Sequence, residues 1–164
     1  SLLSQQGIVI TPGLLEKPLH LPGAEDKLQQ NMQNLAREYG LVVYPLDSKL
    51  PALLTQVAAG YPVMVRFSEG SAFWAEPRYA ILSGYDRNKQ KVLLRAGMNR
   101  RELMSFSSFE SALEKSGGWA VLIQKPSQIP AAVDRQRWLK AADELAQAGQ
   151  ENEAAQARKA LAAH

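Results

Sequence analysis

Few side chains in this 164-residue chain can carry chemistry. There is no cysteine, so the chain offers no thiol nucleophile, thiolate metal site or disulfide. Imidazole is the usual base near neutral pH, and the two histidines are His20 and His164. His20 falls in a loop bounded by Pro18 and Pro22, where a side chain is usually solvated or packed, and His164 stands at a chain end, where order is low. Neither reads as a catalytic base. No serine sits in a G-x-S-x-G elbow. Gly70 stands alone between Glu69 and Ser71 and makes no phosphate loop, and no G-x-G-x-x-G occurs. His, Asp and Glu show no metal-ligand spacing. Most carboxylates fall on predicted helices among charged neighbours, which argues against an acid–base pair. No metal or other cofactor is expected.

The elements that would position any site come from periodicity. Ser1 to Gln6 reads as a helix end stopped by Gly7, and Thr11-Pro12 as a cap opening a short helix to Lys17. Leu28, Met32, Leu35 and Tyr39 recur at helical spacing, with Gly40 as the stop. Leu41 to Tyr44 reads as a strand, and Leu50, Leu53, Leu54 and Val57 mark a helix closed by Gly60. The pattern then turns to β: Tyr61 to Phe67, Arg78 to Tyr85, Lys91 to Ala96 and Glu102 to Phe106 read as strands. Ser68 to Glu76 is a polar and aromatic loop, and Asp86-Arg87-Asn88-Lys89 a hairpin turn. Ser107-Ser108-Phe109-Glu110 has the form of a capping box opening a helix to Lys115, followed by Gly117-Gly118 and a last strand from Trp119 to Gln124. Helices first and then a mostly antiparallel sheet make an α+β class. Residues 1–124 read as this domain, 125–130 as a Pro-containing linker and 131–164 as a helical hairpin split at Gly149.

One segment carries a recognisable pattern. Pro77-Arg78-Tyr79-Ala80-Ile81-Leu82-Ser83-Gly84-Tyr85-Asp86, returning as Lys91-Val92-Leu93-Leu94, resembles the histidine-bearing hairpin of the double-glycine, bacteriocin-processing type of papain-like cysteine peptidase. Ala58-Ala59-Gly60-Tyr61-Pro62-Val63-Met64-Val65 resembles the helix-to-strand passage before that hairpin. The helix ending at Tyr39 and the Ser107–Trp119 helix and strand follow in the family's order. The likeness covers about residues 1–124 and implies a papain-like fold.

The departures decide what it implies for activity. The family's cysteine would lie at or before Ser1, its histidine aligns with Arg78, and its orienting aspartate falls near Arg95-Ala96. Arginine has no accessible neutral form and cannot take a proton, so the triad logic fails at base and orienter as well as nucleophile. The resemblance therefore implies a pseudo-peptidase whose cleft has become a positive pocket. Trp74, Arg78, Tyr79, Arg95, Arg100 and Arg101 are its candidate lining, able to hold an anionic group or chain terminus. The plainer alternative is a pair of surface arginines on a hairpin. Phe73-Trp74 fits either a cleft rim or ordinary core, and Arg87, Lys89 and Lys91 a solvated turn.

The tail resembles a tetratricopeptide unit, with Trp138, Ala142, Leu145, Gly149 and Ala154 near that repeat's packing positions and Ala160-Leu161 one residue out of register. A generic Ala-rich hairpin is the alternative. One such unit does not stand alone, so the stripe of Trp138, Leu139, Ala142 and Leu145 is a candidate docking face, toward the α+β domain, a second copy or a different protein.

Composition limits the remaining classes. Hydrophobic content is 46% and charged content 21%, enough for a proper core. Net charge is +3, below what a dedicated nucleic-acid binder shows. In the tail Arg135, Arg137, Lys140, Arg158 and Lys159 balance Asp134, Asp143, Glu144, Glu151 and Glu153, so the excess lies in residues 1–130. No apolar run approaches the ~20 residues of a membrane span, and Ser1–Gly7 does not read as a signal peptide. The expectation is a non-catalytic domain binding a protein or peptide, with no nucleic acid. By resemblance to bacterial envelope proteins of similar make-up, its place is extracytoplasmic or periplasmic. The alternative is a fragment of an active papain-like cysteine peptidase whose Cys-bearing segment lies upstream.

Overall fold

The computed structural model describes residues 24–69, 76–96 and 100–164. The expected helices before Lys17, the His20 loop and Trp74 lie outside them. The described chain runs α1 (Ala24–Glu38), β1 (Val42–Pro45), α2 (Leu50–Ala58), β2 (Val63–Glu69), β3 (Glu76–Asp86), β4 (Lys91–Ala96), β5 (Arg100–Ser105), α3 (Phe106–Lys115), β6 (Ala120–Gln124), α4 (Arg135–Gln147) and α5 (Glu151–Ala163). The strands lie in the order β1-β6-β2-β3-β4-β5. β2 pairs antiparallel with β3 and β6, and β4 with β3 and β5. The class is α+β with an antiparallel sheet and a C-terminal helical pair. No helix among the described residues is long and apolar enough to cross a membrane.

Contacts divide the chain into two compact units. One holds Pro45–Leu122; the other joins Ile123–His164 to the stretch ending at Tyr44. In the first, α2 begins with Pro51 in its opening turn, where a missing N–H costs nothing, and buries Leu50, Leu53 and Gln56. It packs on β2 and β3, and α3 packs chiefly on β2 through Phe109, Ala112 and Leu113.

The helix α3 starts earlier than the capping-box reading places it. Ser105, not Ser107, is the cap, and its hydroxyl accepts the Ser108 N–H at 3.2 Å. The cause is the strand before it: β5 keeps its ladder to the last residue, with the Phe106 N–H donating to the Gln90 carbonyl at 2.9 Å. Ser105 is thus the last extended residue (ψ 154°), and Ser107 is already inside the helix. At the far end the Gly118 N–H closes on Leu113 O at 3.0 Å. Gly118 has φ +79°, and a Cβ there would stand 2.6 Å from Ser48 Oγ, so the position admits only glycine without displacement.

In the second unit α1 buries Met32 and Ala36, but Tyr39 is 58% exposed. The helix ends at Glu38, so Tyr39 leaves the helical spacing that would have carried it to the buried face. Gly40 (φ +78°) then turns the chain into β1. Helices α4 and α5 pack as a pair around Trp138, Ala141, Ala142, Leu145, Ala154, Ala157 and Leu161, all buried. Asp134 caps α4 by accepting the Arg137 N–H at 3.1 Å. Arg37 of α1 pairs with Glu144 of α4 at 3.2 Å, and Gln150 donates to the Glu38 carbonyl.

Candidate functional site

The candidate cleft residues fall on three neighbouring strands, so register decides which of them meet. Side chains alternate along a strand. The β3–β4 pairs Ile81–Arg95 and Leu82–Leu94 hold on the Arg78 side of the irregularity between Leu82 and Gly84. The β4–β5 pairs Arg95–Arg101, Leu94–Glu102 and Leu93–Leu103 run without a break. Tyr79, Ile81, Arg95 and Arg101 therefore share one face of the sheet, and Arg78, Ala80, Leu82, Leu94 and Glu102 the other. Arg78 and Tyr79 are adjacent in sequence and so point oppositely, which divides the expected pocket.

On its face Arg78 is engaged. Its Nη2 lies 3.2 Å from Glu102 Oε1, and both side chains are about three-quarters buried. Its guanidinium also sits 5.4 Å from the centroid of the Phe67 ring, the residue paired with it on β2. An ion pair and a cation–π contact hold one cation between two strands. Tyr79, on the opposite face, is buried edge-on to Trp119, with centroids 5.6 Å apart and an 83° interplanar angle. It is a core aromatic.

Arg95 and Arg101 stand directly opposite each other on β4 and β5. Arg95 is half-buried and Arg101 exposed. Among the described residues neither finds a carboxylate. Like charges directly across a ladder are unfavourable, so the charges of this pair do not stabilise the ladder. The next pair along is Leu93–Leu103, where Leu103 is 67% exposed, and the next is Lys91–Ser105, with Lys91 exposed. Arg100 opens β5 opposite Ala96. Leu103 and Lys91 were absent from the sequence candidates. Alternation shows which face a strand residue takes, but nothing in the sequence marks β5 as the outermost strand.

The tail residues are placed just as plainly. Trp138, Ala142 and Leu145 are fully buried, and only Leu139, at 40% exposure, reaches solvent. The Trp138 indole N–H donates to the Ala157 carbonyl at 2.8 Å, and its ring lies 6.0 Å from that of Tyr44. The Tyr44 hydroxyl in turn accepts the Asp134 N–H at 3.0 Å. The stripe is covered from within its own unit, partly by β1, outside the hairpin.

Two open grooves in the first unit were not anticipated. One, of about 440 Å³, is hydroxyl-rich, with Ser107, Ser108 and Ser111 of α3 beside Lys115. The other, of about 510 Å³, is more apolar, between Leu50 and Leu54 of α2 and Tyr85 and Phe106. No group of three or more His, Cys, Asp or Glu among the described residues could hold a metal ion. No family model, curated protein or solved structure matches the chain.

Proposed function

We propose that this chain is a non-catalytic, peptidase-like domain that holds a protein or peptide partner without cleaving it. The observation that carries the reading is Arg78. At the strand position where the resemblance puts the catalytic histidine, the chain has a permanently charged group bound to Glu102 and stacked on Phe67. Such a group has no lone pair to offer a nucleophile, and the chain contains no thiol to activate. Support for papain-like descent is the order of elements: α2 leads into β2, and β3 passes through Gly84-Tyr85-Asp86 into the turn and β4. An extracytoplasmic, bacterial place belongs to the same reading and follows from the resemblance.

The test has two arms. The purified chain is incubated with a panel of glycine-containing peptides and the products are followed by mass spectrometry. The expected result is no cleavage above a buffer blank, for the chain itself and for Arg78→His; cleavage abolished by Arg78→Ala would overturn the non-catalytic reading. The immobilised chain is then exposed to an array of extended peptides of varied charge. Retention of a subset is expected, and retention of none would remove the binding reading.

A further inference from the structure

We propose that the outer edge of β5 binds an extended acidic segment of a partner protein as an added strand, reading an acid–x–apolar–x–acid pattern. The proposal rests on the binding reading above and names the ligand class.

The backbone supplies the first half of the site. β5 is the last strand of the sheet order, with β4 on one side and no described strand on the other. The Phe106 N–H donates to Gln90 O, which fixes the phase of the β4–β5 ladder: in an antiparallel pair, hydrogen-bonded and non-hydrogen-bonded positions alternate. Lys91–Ser105, Leu93–Leu103 and Arg95–Arg101 are consequently non-hydrogen-bonded pairs. The N–H and C=O groups of Arg101 and Leu103 therefore point away from β4, toward the side that no described strand occupies. An edge of this kind is a template for strand addition.

The side chains supply the second half. The same three pairs lie on one face and read, in order, Arg95–Arg101, Leu93–Leu103 and Lys91–Ser105. That is cation, apolar, cation at two-residue spacing, the spacing at which side chains of an added strand share a face. The two arginines lack a carboxylate among the described residues, and Leu103 is 67% exposed. Asp86, across β4 from Lys91, accepts the Lys89 N–H in the turn. The neighbouring segments 70–75 and 97–99 contain no acid in their sequence. Among the described residues no carboxylate meets this charge, so an acidic ligand complements it, and the outward amides favour a peptide over other polyanions, since a nucleic acid offers no matching main-chain ladder. A net charge of +3 points the same way.

The experiment uses the full chain and a fluorescein-labelled seven-residue probe of alternating threonine with glutamate, valine and glutamate at its second, fourth and sixth positions. The probe reads alike in both strand directions. Anisotropy should show saturable binding that weakens with salt, no binding of the probe with lysine for glutamate, and a loss of about tenfold or more for Arg101→Glu. N-methylation of the probe's valine, whose N–H faces β5, should abolish binding; N-methylation of a threonine facing away should not. Leu103→Asp should weaken the probe independently. Binding indifferent to Arg101→Glu or to valine N-methylation would overturn the proposal while leaving partner binding at another surface intact. Equal, Arg101-dependent binding of a single-stranded oligonucleotide would also overturn it, in favour of a general anion patch.

Discussion

The surroundings of Trp138 and the β4–β5 edge put conspicuous side chains to opposite uses. Around Trp138 the indole N–H is satisfied by Ala157, the ring packs near Tyr44, and the Tyr44 hydroxyl takes the Asp134 N–H while Arg137 lies 6.0 Å from that ring. At the edge two arginines face each other with no carboxylate partner among the described residues, and a leucine stands in solvent. The first set stabilises the fold. The second is unfavourable for the fold as it stands, and it is the set on which the proposed acidic partner would act. A side chain's conspicuousness in the sequence therefore says little about function; the informative sign is a group the fold leaves unsatisfied.

Mutations can sharpen that contrast. The largest effect should come from Trp138→Ala, which removes a fully buried indole and its hydrogen bond; loss of about 3–5 kcal/mol is expected, seen as a fall of roughly 10 °C in melting temperature. If melting barely moves, Trp138 is not the anchor described. Gly118→Ala forces a side chain into positive φ and against Ser48, with an expected cost of about 1–2 kcal/mol in denaturant unfolding. A neutral result would show that Ser48 yields freely.

The Arg78–Glu102 pair ranks next. A double-mutant cycle with Arg78→Ala and Glu102→Ala should return a coupling of about 1 kcal/mol, since both groups keep some contact with water. Zero coupling would mean that the ion pair contributes nothing to the placement of Arg78. Arg101→Glu should have the smallest effect on stability and the opposite sign, raising it by a few tenths of a kcal/mol as a repulsive cross-strand pair becomes attractive. A clear drop in melting temperature would give Arg101 a structural role and break the contrast.

Much of the fold was legible because local patterns agreed with it. The apolar run after the polar turn Asp86–Lys89 gives β4 over Lys91–Ala96, its observed bounds, and Gly149 separates the tail helices as expected. The misses came from tertiary context. Ser105 caps α3 because the β5 ladder runs to its end, which Ser107-Ser108-Phe109-Glu110 does not reveal. Leu139 follows Trp138 directly and so turns out of the buried stripe. The candidate site was half legible: the arginines were visible, but grouping Arg78 with Arg95 overlooked that register places them on opposite faces. Which strand would be outermost, and hence that Leu103 would be exposed, is settled by strand order alone.

Amide hydrogen exchange, resolved by residue with and without saturating acidic probe, tests the β5 edge most directly. The expected result is protection of Arg101 and Leu103 by about tenfold or more on binding, with little change at Glu102 and Met104, whose N–H groups already face β4. Unchanged exchange at Arg101 and Leu103 under saturation would contradict strand addition at this edge.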